Sequence, residues 1–432
     1  MGLFFSAVQW LFFMMASSLV APIAIAGLFH LSPADTAEFV QRTMFVLGLS
    51  GMIQALIGHR LPINEGPAGL WWGVFAIYAG FAGTIYSSTE QALQSLEGGM
   101  IVSGIIFIFL AAFGLLEKMA KLFTPTVTFI YLLLLILQLS GSFLKGMLGL
   151  PNETESVRPL VMAGSAVTLI AAFYFSAHRI QWMRQYSVII SLGFGWLLFF
   201  LIGEAPFHSA SGKELFHLPG LFVFGPPLFD SGTIVTAAFI TLLLTANMIA
   251  SIRVMEEVIM HLDGSSEKGS YRSAGVAAGI NQMLGGGFSA IGSVPISGAA
   301  GFVAQTGNAS IQPFFIGSLL VVGMSVFPPV MNVLASLPAP VGYAVTFVIF
   351  SRMAGFAFAE MDKEKNKERA RLVSGVSLLA GVGVMFVPAA AFTNFPAAAA
   401  SILNNGLIFG TIIAICVEQF LLVTARKKTL GS

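Results

Sequence analysis

Two short stretches decide the fold of this chain: PINEGPAG at residues 62–69 and PISGAAG at residues 295–301. Each is rich in Pro and Gly and lies beside a long apolar segment. Because Pro lacks a backbone N–H donor and an unpaired amide facing lipid costs several kcal/mol, such breaks must be buried. Matched breaks in the two halves of a polytopic protein are the feature that best indicates the substrate site of an inverted-repeat transporter.

The composition assigns the chain to a membrane. Of 432 residues, 56% are hydrophobic and only 9% are charged, and the mean hydropathy is +0.87. A soluble domain of this size needs far more polar surface. The net charge of +1 gives no indication of a nucleic-acid partner. The single Cys416 lies in an apolar segment, so we expect no disulfide framework, no metal-ligand cluster and no cofactor.

The chain is predicted to be an all-α polytopic membrane protein with fourteen transmembrane segments. Most of the apolar runs can cross a hydrocarbon core of roughly 30 Å at about 1.5 Å per residue. The third run is interrupted and the tenth is short, so both are predicted to be partly extended. The segments are 3–26, 39–57, 66–83, 98–116, 124–144, 159–176, 186–203, 231–252, 273–291, 295–304, 312–333, 338–354, 372–388 and 402–424.

The basic residues predict a multi-pass protein of the cell membrane with both termini in the cytoplasm. With the amino terminus inside, only four of the 21 Lys and Arg residues fall outside, as the positive-inside rule requires. Those four are Arg42, Lys145, Arg158 and Lys213. An odd number of spans would put the basic carboxyl terminus outside, so the even count is supported independently.

Fourteen spans divide into two halves of seven, and an odd number per half gives the second half the opposite topology. A second pair of matched marks agrees with this division. The fifth span opens with TPTV at 124–127 and the twelfth with APVG at 339–342, each five spans into its half. The sequence therefore predicts a seven-plus-seven inverted repeat.

Four stretches of the chain resemble one family, the nucleobase/ascorbate transporters or nucleobase-cation symporters, which include bacterial uracil and xanthine permeases. They are VQWLFFMMASSLVAP at 8–22, GHRLPINEGPAGLWWG at 58–73, ANMIASIRV at 246–254 and GSVPISGAAGFVAQTG at 292–307. The resemblance covers nearly the whole chain and is greatest to a divergent bacterial branch of purine or uracil/xanthine permeases.

The resemblance implies a secondary active transporter, not an enzyme, that imports a neutral nucleobase across the plasma membrane by proton-coupled alternating access. It implies a core domain of residues 1–116 and 204–333, and a gate domain of residues 117–203 and 334–432. The third and tenth spans are then expected to meet between the domains and bind the base partly through backbone groups. The implied partners are the base, H+ and membrane lipid, and a homodimer is one oligomeric state that it allows.

Three departures from the family pattern bear on the site. The family's first span usually carries Gln-His, whereas Gln9 is followed by Trp10. Its eighth span carries an embedded Glu, where Asn247 stands here. Its tenth span offers Glu or Gln followed by Asn, where Gly298 and Ala299 stand here. We predict a substrate-binding set of Gln9, Glu65, Gly69, Trp71, Asn247, Ser297 and Gly298.

Glu65 is the acid predicted to bind substrate and to carry proton coupling, because it lies inside the first broken motif. A buried acid costs several kcal/mol unless it is paired or neutralised. The alternatives are an ion pair with Arg60, or a cap on the helix that begins near Gly66. His59, beside Arg60, is predicted to lie at the surface.

The other candidates have structural alternatives as well. Trp71 and its neighbour Trp72 could stack on a planar base or merely pack against helices or lipid. The Asn247 carboxamide could bind the amide edge of a base or form a plain interhelical hydrogen bond. Ser297 and the backbone around it could contact substrate, or the adjacent Gly298 could serve close packing.

Two other functions remain open at this point. The missing eighth-span acid allows a non-transporting sensor or a degenerate permease of the same fold. Among transporters, the alternative is a sulfate-type anion carrier. An anion needs a compensating positive charge besides the helix dipoles, and neither broken motif contains a positive residue. An intramembrane enzyme is not indicated, since HExxH, GxSxG and an ATP-binding loop are all missing.

Overall fold

A computed structural model describes residues 2–150, 156–205, 215–264, 269–392 and 394–430. This part of the chain is mostly helical, with two short strands. The first half contains α1 Leu3–Ser18, α2 Val20–Leu28, α3 Pro33–Leu56, β1 Glu65–Pro67, α4 Gly69–Phe81, α5 Thr89–Ala112, α6 Leu116–Ala120, α7 Pro125–Met147, α8 Pro159–Ser176, α9 Gln181–Gln185 and α10 Ser187–Leu201. The second half contains α11 Ser231–Asp263, α12 Tyr271–Gly287, β2 Ser293–Pro295, α13 Gly298–Thr306, α14 Ile311–Ser325, α15 Pro328–Ala335, α16 Ala339–Asp362, α17 Lys367–Met385, a 3₁₀ turn at Ala389–Phe392, α18 Ala397–Leu403 and α19 Gly406–Leu430.

Several long helices begin where a small polar side chain can cap the first turn. The hydroxyls of Ser32, Ser88 and Thr124 accept hydrogen bonds from backbone amides at the starts of α3, α5 and α7. The Asp230 carboxylate does the same for α11. Each cap satisfies one of the backbone N–H groups that a helix start leaves without an intrahelical partner.

Within the described residues, eight helical spans are long and apolar enough to cross a bilayer, and a bent pair makes a ninth. The predicted count of fourteen is therefore not reached by length and composition alone. The predicted third, seventh and tenth spans contain helices of only 13, 15 and 9 residues, α4, α10 and α13. Helix α17 is not among the counted spans either, and it begins with four charged residues, at 367, 368, 369 and 371.

The predicted eleventh span, residues 312–333, is not one straight helix. It consists of α14 and α15, which meet at an angle of 90°. Pro328 and Pro329 explain the break, because a proline inside a helix removes a hydrogen bond and clashes with the preceding turn.

The two broken motifs meet, as the sequence predicts. Strands β1 and β2 pair antiparallel, with Glu65 opposite Pro295, Gly66 opposite Val294 and Pro67 opposite Ser293. Two more backbone bonds extend the ladder, from the Ile296 amide to the Asn64 carbonyl (3.0 Å) and from the Ala68 amide to the Gly292 carbonyl (2.9 Å). Each extended segment thus satisfies the backbone groups of the other, which is what burial away from water demands.

The long helices pack in two groups. In one group α5 packs against α11 and α12, and α14 packs against α1 and α3. In the other, α7 packs against α16, α17 and α19, and α8 packs against α10 and α16. The strand pair is bound into the first group through contacts with α1, α3, α11 and α12.

Candidate functional site

The strand pair brings the beginnings of two helices together. Helix α4 begins at Gly69, two residues after β1 ends, and α13 begins at Gly298, three residues after β2 ends. Because the strands run antiparallel, the two helices leave the crossing in opposite directions. The positive end of each helix dipole is directed at the crossing, where it favours a hydrogen-bond acceptor. At the start of α13 the Ala299 and Ala300 amides already donate to the Ile296 and Ser297 carbonyls, both at 3.1 Å.

The start of α13 borders open space. Ser297 and Gly298 are exposed, although the next two residues are buried. Gly301, one turn further along α13, is also exposed, and a Cβ added there would meet no atom within 4 Å. This side of α13 is therefore not covered by other described residues.

The start of α4 is closed by the second group of helices. A Cβ added at Gly69 would lie 3.7 Å from Leu135 Cδ2 on α7 and 3.9 Å from Phe350 Cζ on α16. Trp72 packs edge-on against Phe350 and against Phe143 of α7, with ring centroids 5.9 and 5.4 Å away. The crossing is thus covered on the α4 side and open on the α13 side.

Glu65 lies in β1 with only 1% of its surface exposed. Neither carboxyl oxygen has a hydrogen bond of ordinary geometry or an ion pair in the described part of the chain. The Ser293 hydroxyl on the paired strand is the polar group that lies near enough to interact with the carboxyl group. A buried carboxyl group without a cation partner is far more stable with a bound proton than without one.

Both alternative roles of Glu65 fail in the structure. Arg60 is exposed and adopts a positive φ of 58°, and its Nε donates to the Leu56 carbonyl at 3.2 Å rather than to Glu65. The residue at the cap position of α4 is Ala68, with no side-chain cap. The prediction that His59 lies at the surface is wrong. His59 belongs to the same turn and is only 1% exposed, and its Nδ1 accepts a hydrogen bond from the Leu61 backbone amide at 3.1 Å.

The other face of β1 is packed against α1. The Asn64 carboxamide donates to Ser17 Oγ at 3.3 Å. A Cβ added at Gly66 would come within 2.6 Å of the Ile296 side chain, so only glycine allows the two strands to approach this closely. Since successive side chains alternate across a strand, Glu65 is directed away from this face.

Trp71 lies behind the crossing rather than in it. It is fully buried, and its indole Nε1 donates to Gln282 Oε1 on α12 at 2.7 Å. Gln282 Nε2 in turn donates to the Ser293 carbonyl of β2 at 2.6 Å. A Cβ at Gly292 would come within 2.5 Å of the indole ring, so the ring has no free face there. This placement favours the packing alternative for Trp71.

Asn247 lies on α11 and is partly exposed. One helical turn later, Ser251 Oγ donates to the Pro295 carbonyl at 2.9 Å and joins α11 to β2. The carboxamide of Asn247 therefore lies about one turn from the strand pair, with donor and acceptor capacity available.

Gln9 lies apart from the rest of the predicted set. It borders a separate cavity of about 320 Å³ with Ser6, Thr306 and Asn308. Thr306 ends α13, roughly 12 Å from Gly298 at 1.5 Å per residue. The structure therefore groups Glu65, Gly69, Ser297 and Gly298 at the crossing, and separates Gln9 from them.

Sequence reasoning missed the residues that hold the crossing in place. Gln282, Ser251 and Ser293 are all at most 3% exposed, and each contacts β2 or belongs to it. The signal that could have found Gln282 is a polar residue in the middle of an apolar segment, which usually faces the protein interior and finds a partner there.

These features define a membrane permease. Residues 1–390 match the model of a permease family, Xan_ur_permease. The chain therefore belongs to this permease family.

Relatives with curated names agree with this assignment. The chain is 46% identical to "Putative purine permease YwdJ" of Bacillus subtilis (strain 168) over 99% of its own length and 98% of that protein. It is 22% identical to the uric acid permease PucK of the same organism, covering 95% of this chain and 94% of that one. It is 23% identical to the xanthine permease XanP of Escherichia coli (strain K12), covering 95% and 90%.

Solved structures share the fold at low sequence identity. The transmembrane domain of the cyanobacterial bicarbonate transporter BicA matches with a TM-score of 0.62 at 14% identity, over 95% of this chain and 97% of that one. The murine anion transporter Slc26a9 in its inward-facing state matches with a TM-score of 0.59 at 11% identity, over 98% of this chain and 68% of that one. The architecture is therefore that of the SLC26 and BicA transporters.

Proposed function

We propose that this permease is a secondary active transporter that imports a neutral nucleobase, a purine such as xanthine or else uracil. The observation that carries the proposal is the β1–β2 crossing, where two helix starts converge beside the exposed Ser297 and Gly298. The names of the purine, xanthine and uric acid permeases among its relatives give the substrate class.

The chemistry of the crossing suits a planar, uncharged heterocycle. Oxopurines and uracil present carbonyl oxygens next to ring N–H groups. The positive ends of the α4 and α13 helix dipoles attract the carbonyl oxygens. The Ser297 hydroxyl and the Asn247 carboxamide can both donate and accept, so they match the mixed edge of the ring.

A second candidate, an anion carrier, is favoured by the fold shared with BicA and Slc26a9. It is the weaker candidate for this chain. Neither PINEGPAG nor PISGAAG contains Lys or Arg, so the two breaks offer an anion no positive side chain to compensate its charge.

We further propose fourteen spans in a seven-plus-seven inverted repeat. Each predicted segment corresponds to helix, with a strand added in the third and tenth. The helix group that binds the strand pair would be the core domain, and the group around α7 and α16 the gate domain. With both termini in the cytoplasm, the opening beside α13 would face inward and the packed α4 side would close the outer path, as alternating access requires.

Proton coupling would use Glu65. Its carboxyl group is buried, has no cation partner and belongs to the strand that leads into α4. Because it faces the core interior near Ser293, we expect it to couple through the strand pair rather than by direct contact with the base.

Uptake of labelled xanthine, uric acid, hypoxanthine, guanine and uracil by a permease-deficient cell tests the proposal, with labelled sulfate and bicarbonate as anion probes. Gly298→Val fills the exposed start of α13, where a Cβ would make only an ordinary contact of 3.5 Å with Ile296 Cγ2. Gly323→Val on α14 is the matched control, since a Cβ there meets no atom within 4 Å. We expect uptake of one or more bases that Gly298→Val abolishes and Gly323→Val retains. Uptake of an anion instead, or normal base uptake by Gly298→Val, would contradict it.

A further inference from the structure

A second buried acid lies outside the crossing. Glu97, eight residues into α5, is only 1% exposed. Its Oε1 accepts a hydrogen bond from the Ser289 hydroxyl, whereas Oε2 has no hydrogen bond of ordinary geometry among the described residues. The Phe224 backbone amide is the other polar group near enough to interact with the carboxyl group. An ionised carboxylate would therefore be desolvated with few compensating donors, which is costly in a protein interior.

Ser289 links this acid to β2. It adopts a positive φ of 50°, which a serine rarely does without compensating contacts. Besides donating to Glu97, its Oγ accepts the Val223 amide at 2.8 Å, and its carbonyl accepts Arg42 Nε at 3.4 Å. Four residues later, the chain enters β2 at Ser293.

Arg42 is the one buried cation near Glu97 in the described structure, and it is held by other groups. It is 2% exposed, contacts Glu38 at 3.3 Å and lies 5.3 Å from the ring centroid of Phe224. It forms no ion pair with Glu97 within 4 Å in the described structure, and its charge acts on the acid through space at longer range.

The charged groups around Glu97 on every neighbouring element can be named. Helix α3 contributes Arg42, Glu38 and Asp35. Asp230 lies directly before α11, and its carboxylate accepts hydrogen bonds from the hydroxyls of Ser95, Thr233 and Tyr86. Helix α4 carries no charged residue, and α12 carries only Arg272, near the helix end opposite Ser289. The segment 218–229 carries none.

That segment covers the acid. Gln94 Nε2 donates to the Phe224 carbonyl at 2.7 Å, and the Leu228 amide donates to the Gln94 carbonyl at 3.0 Å. The Phe222 amide donates to the Gly287 carbonyl at 2.8 Å. Residues 218–229 are thus hydrogen-bonded to both α5 and α12, and they cover the Glu97–Ser289 pair.

We propose that Glu97 is a second proton-binding site of this permease, which carries its proton on Oε2 in the state described here. Binding adds one H+ to a carboxylate and breaks no other bond. Deprotonation would place a negative charge near Arg42 and next to the Ser289 hydroxyl. It would therefore strengthen the hydrogen bond that Ser289, four residues before β2, donates to Glu97. Only the link between this proton and transport rests on the proposed function.

Infrared difference spectroscopy of the purified full-length protein, recorded between acidic and alkaline pH, tests the site without any transport. Protonated carboxyl groups give a separate C=O band. We expect Glu97→Gln to remove one component of that band, and Ser289→Ala to shift that same component by removing its hydrogen bond. Glu65→Gln is the matched control and should leave the component in place.

The proposal is overturned if Glu97→Gln or Ser289→Ala gives the wild-type carboxyl spectrum, or if the component disappears in Glu65→Gln instead. Should Glu97→Gln fail to fold, Ser289→Ala still decides the question. The result is independent of the proposed function, because a protein that transports no nucleobase would still show the band.

Discussion

The hydrogen bond between Trp71 and Gln282 can be tested by a double-mutant cycle. Gln282→Leu removes the acceptor of the indole N–H and also the donor to the Ser293 carbonyl, bonds of 2.7 and 2.6 Å. Hydrogen bonds between transmembrane helices average about 0.6 kcal/mol and reach about 1.7 kcal/mol. Two of them predict that Gln282→Leu lowers the free energy of unfolding by about 1–3 kcal/mol.

The cycle isolates the Trp71 bond. Trp71→Phe keeps an aromatic ring but loses the N–H, and its packing loss cancels when the single and double variants are compared. We expect a coupling energy of about 0.6–1.7 kcal/mol, measured by unfolding in mixed detergent micelles. A cycle of Trp72→Phe with Gln282→Leu is the control and should give none, since the Trp72 indole N–H has no partner in the described structure. A Trp71–Gln282 coupling near zero would refute the assigned bond.

Three further predictions concern transport. Glu65→Gln should fold and bind the base but lose uptake driven by an inward proton gradient, which pH-jump uptake in vesicles measures; an unaltered proton dependence would contradict it. Asn247→Ala should weaken base binding in equilibrium titrations while the pH profile of uptake stays unchanged, so normal affinity with a shifted profile would count against it. Gly301→Phe should fold normally, because the site is open, yet stop transport by obstructing closure beside α13; Gly323→Phe is its control, and normal uptake by Gly301→Phe would exclude closure there.

The meeting of the two broken motifs could be predicted from the sequence because the cause is local. A Pro- and Gly-rich break in an apolar segment must find backbone partners, and the only equivalent break is in the other half. The pairing of Glu65 with Pro295 is the result. Family membership could be recognised partly for the same reason, since two of its four marks lie in and beside these breaks.

Side-chain directions could not be predicted, because they depend on which face of each element meets which neighbour. Trp71 and Trp72 are adjacent, yet one donates to Gln282 inside the core and the other packs against Phe143. Likewise, Glu418 on α19 pairs with Arg369 of α17 at 3.4 Å, a contact that depends on how these two helices are oriented toward each other.

Burial of charge was also underestimated by sequence reasoning. Glu97 lies just before the predicted segment 98–116, but α5 begins at Thr89, so the acid is more than two turns inside the helix. Segment boundaries drawn from hydropathy omit such polar first turns, because the cap and the charged residues after it lower the average. His59 was misplaced in a similar way, since its polar neighbour Arg60 is exposed while the turn directs His59 inward.

The most direct test of the central claim is a structure of the permease with the transported base bound. We predict the base beside the β1–β2 crossing, between the starts of α4 and α13, with its carbonyl oxygens directed at the positive ends of these two helices. A base bound in the separate cavity beside Gln9 and Asn308, or on the lipid-facing surface, would contradict the account.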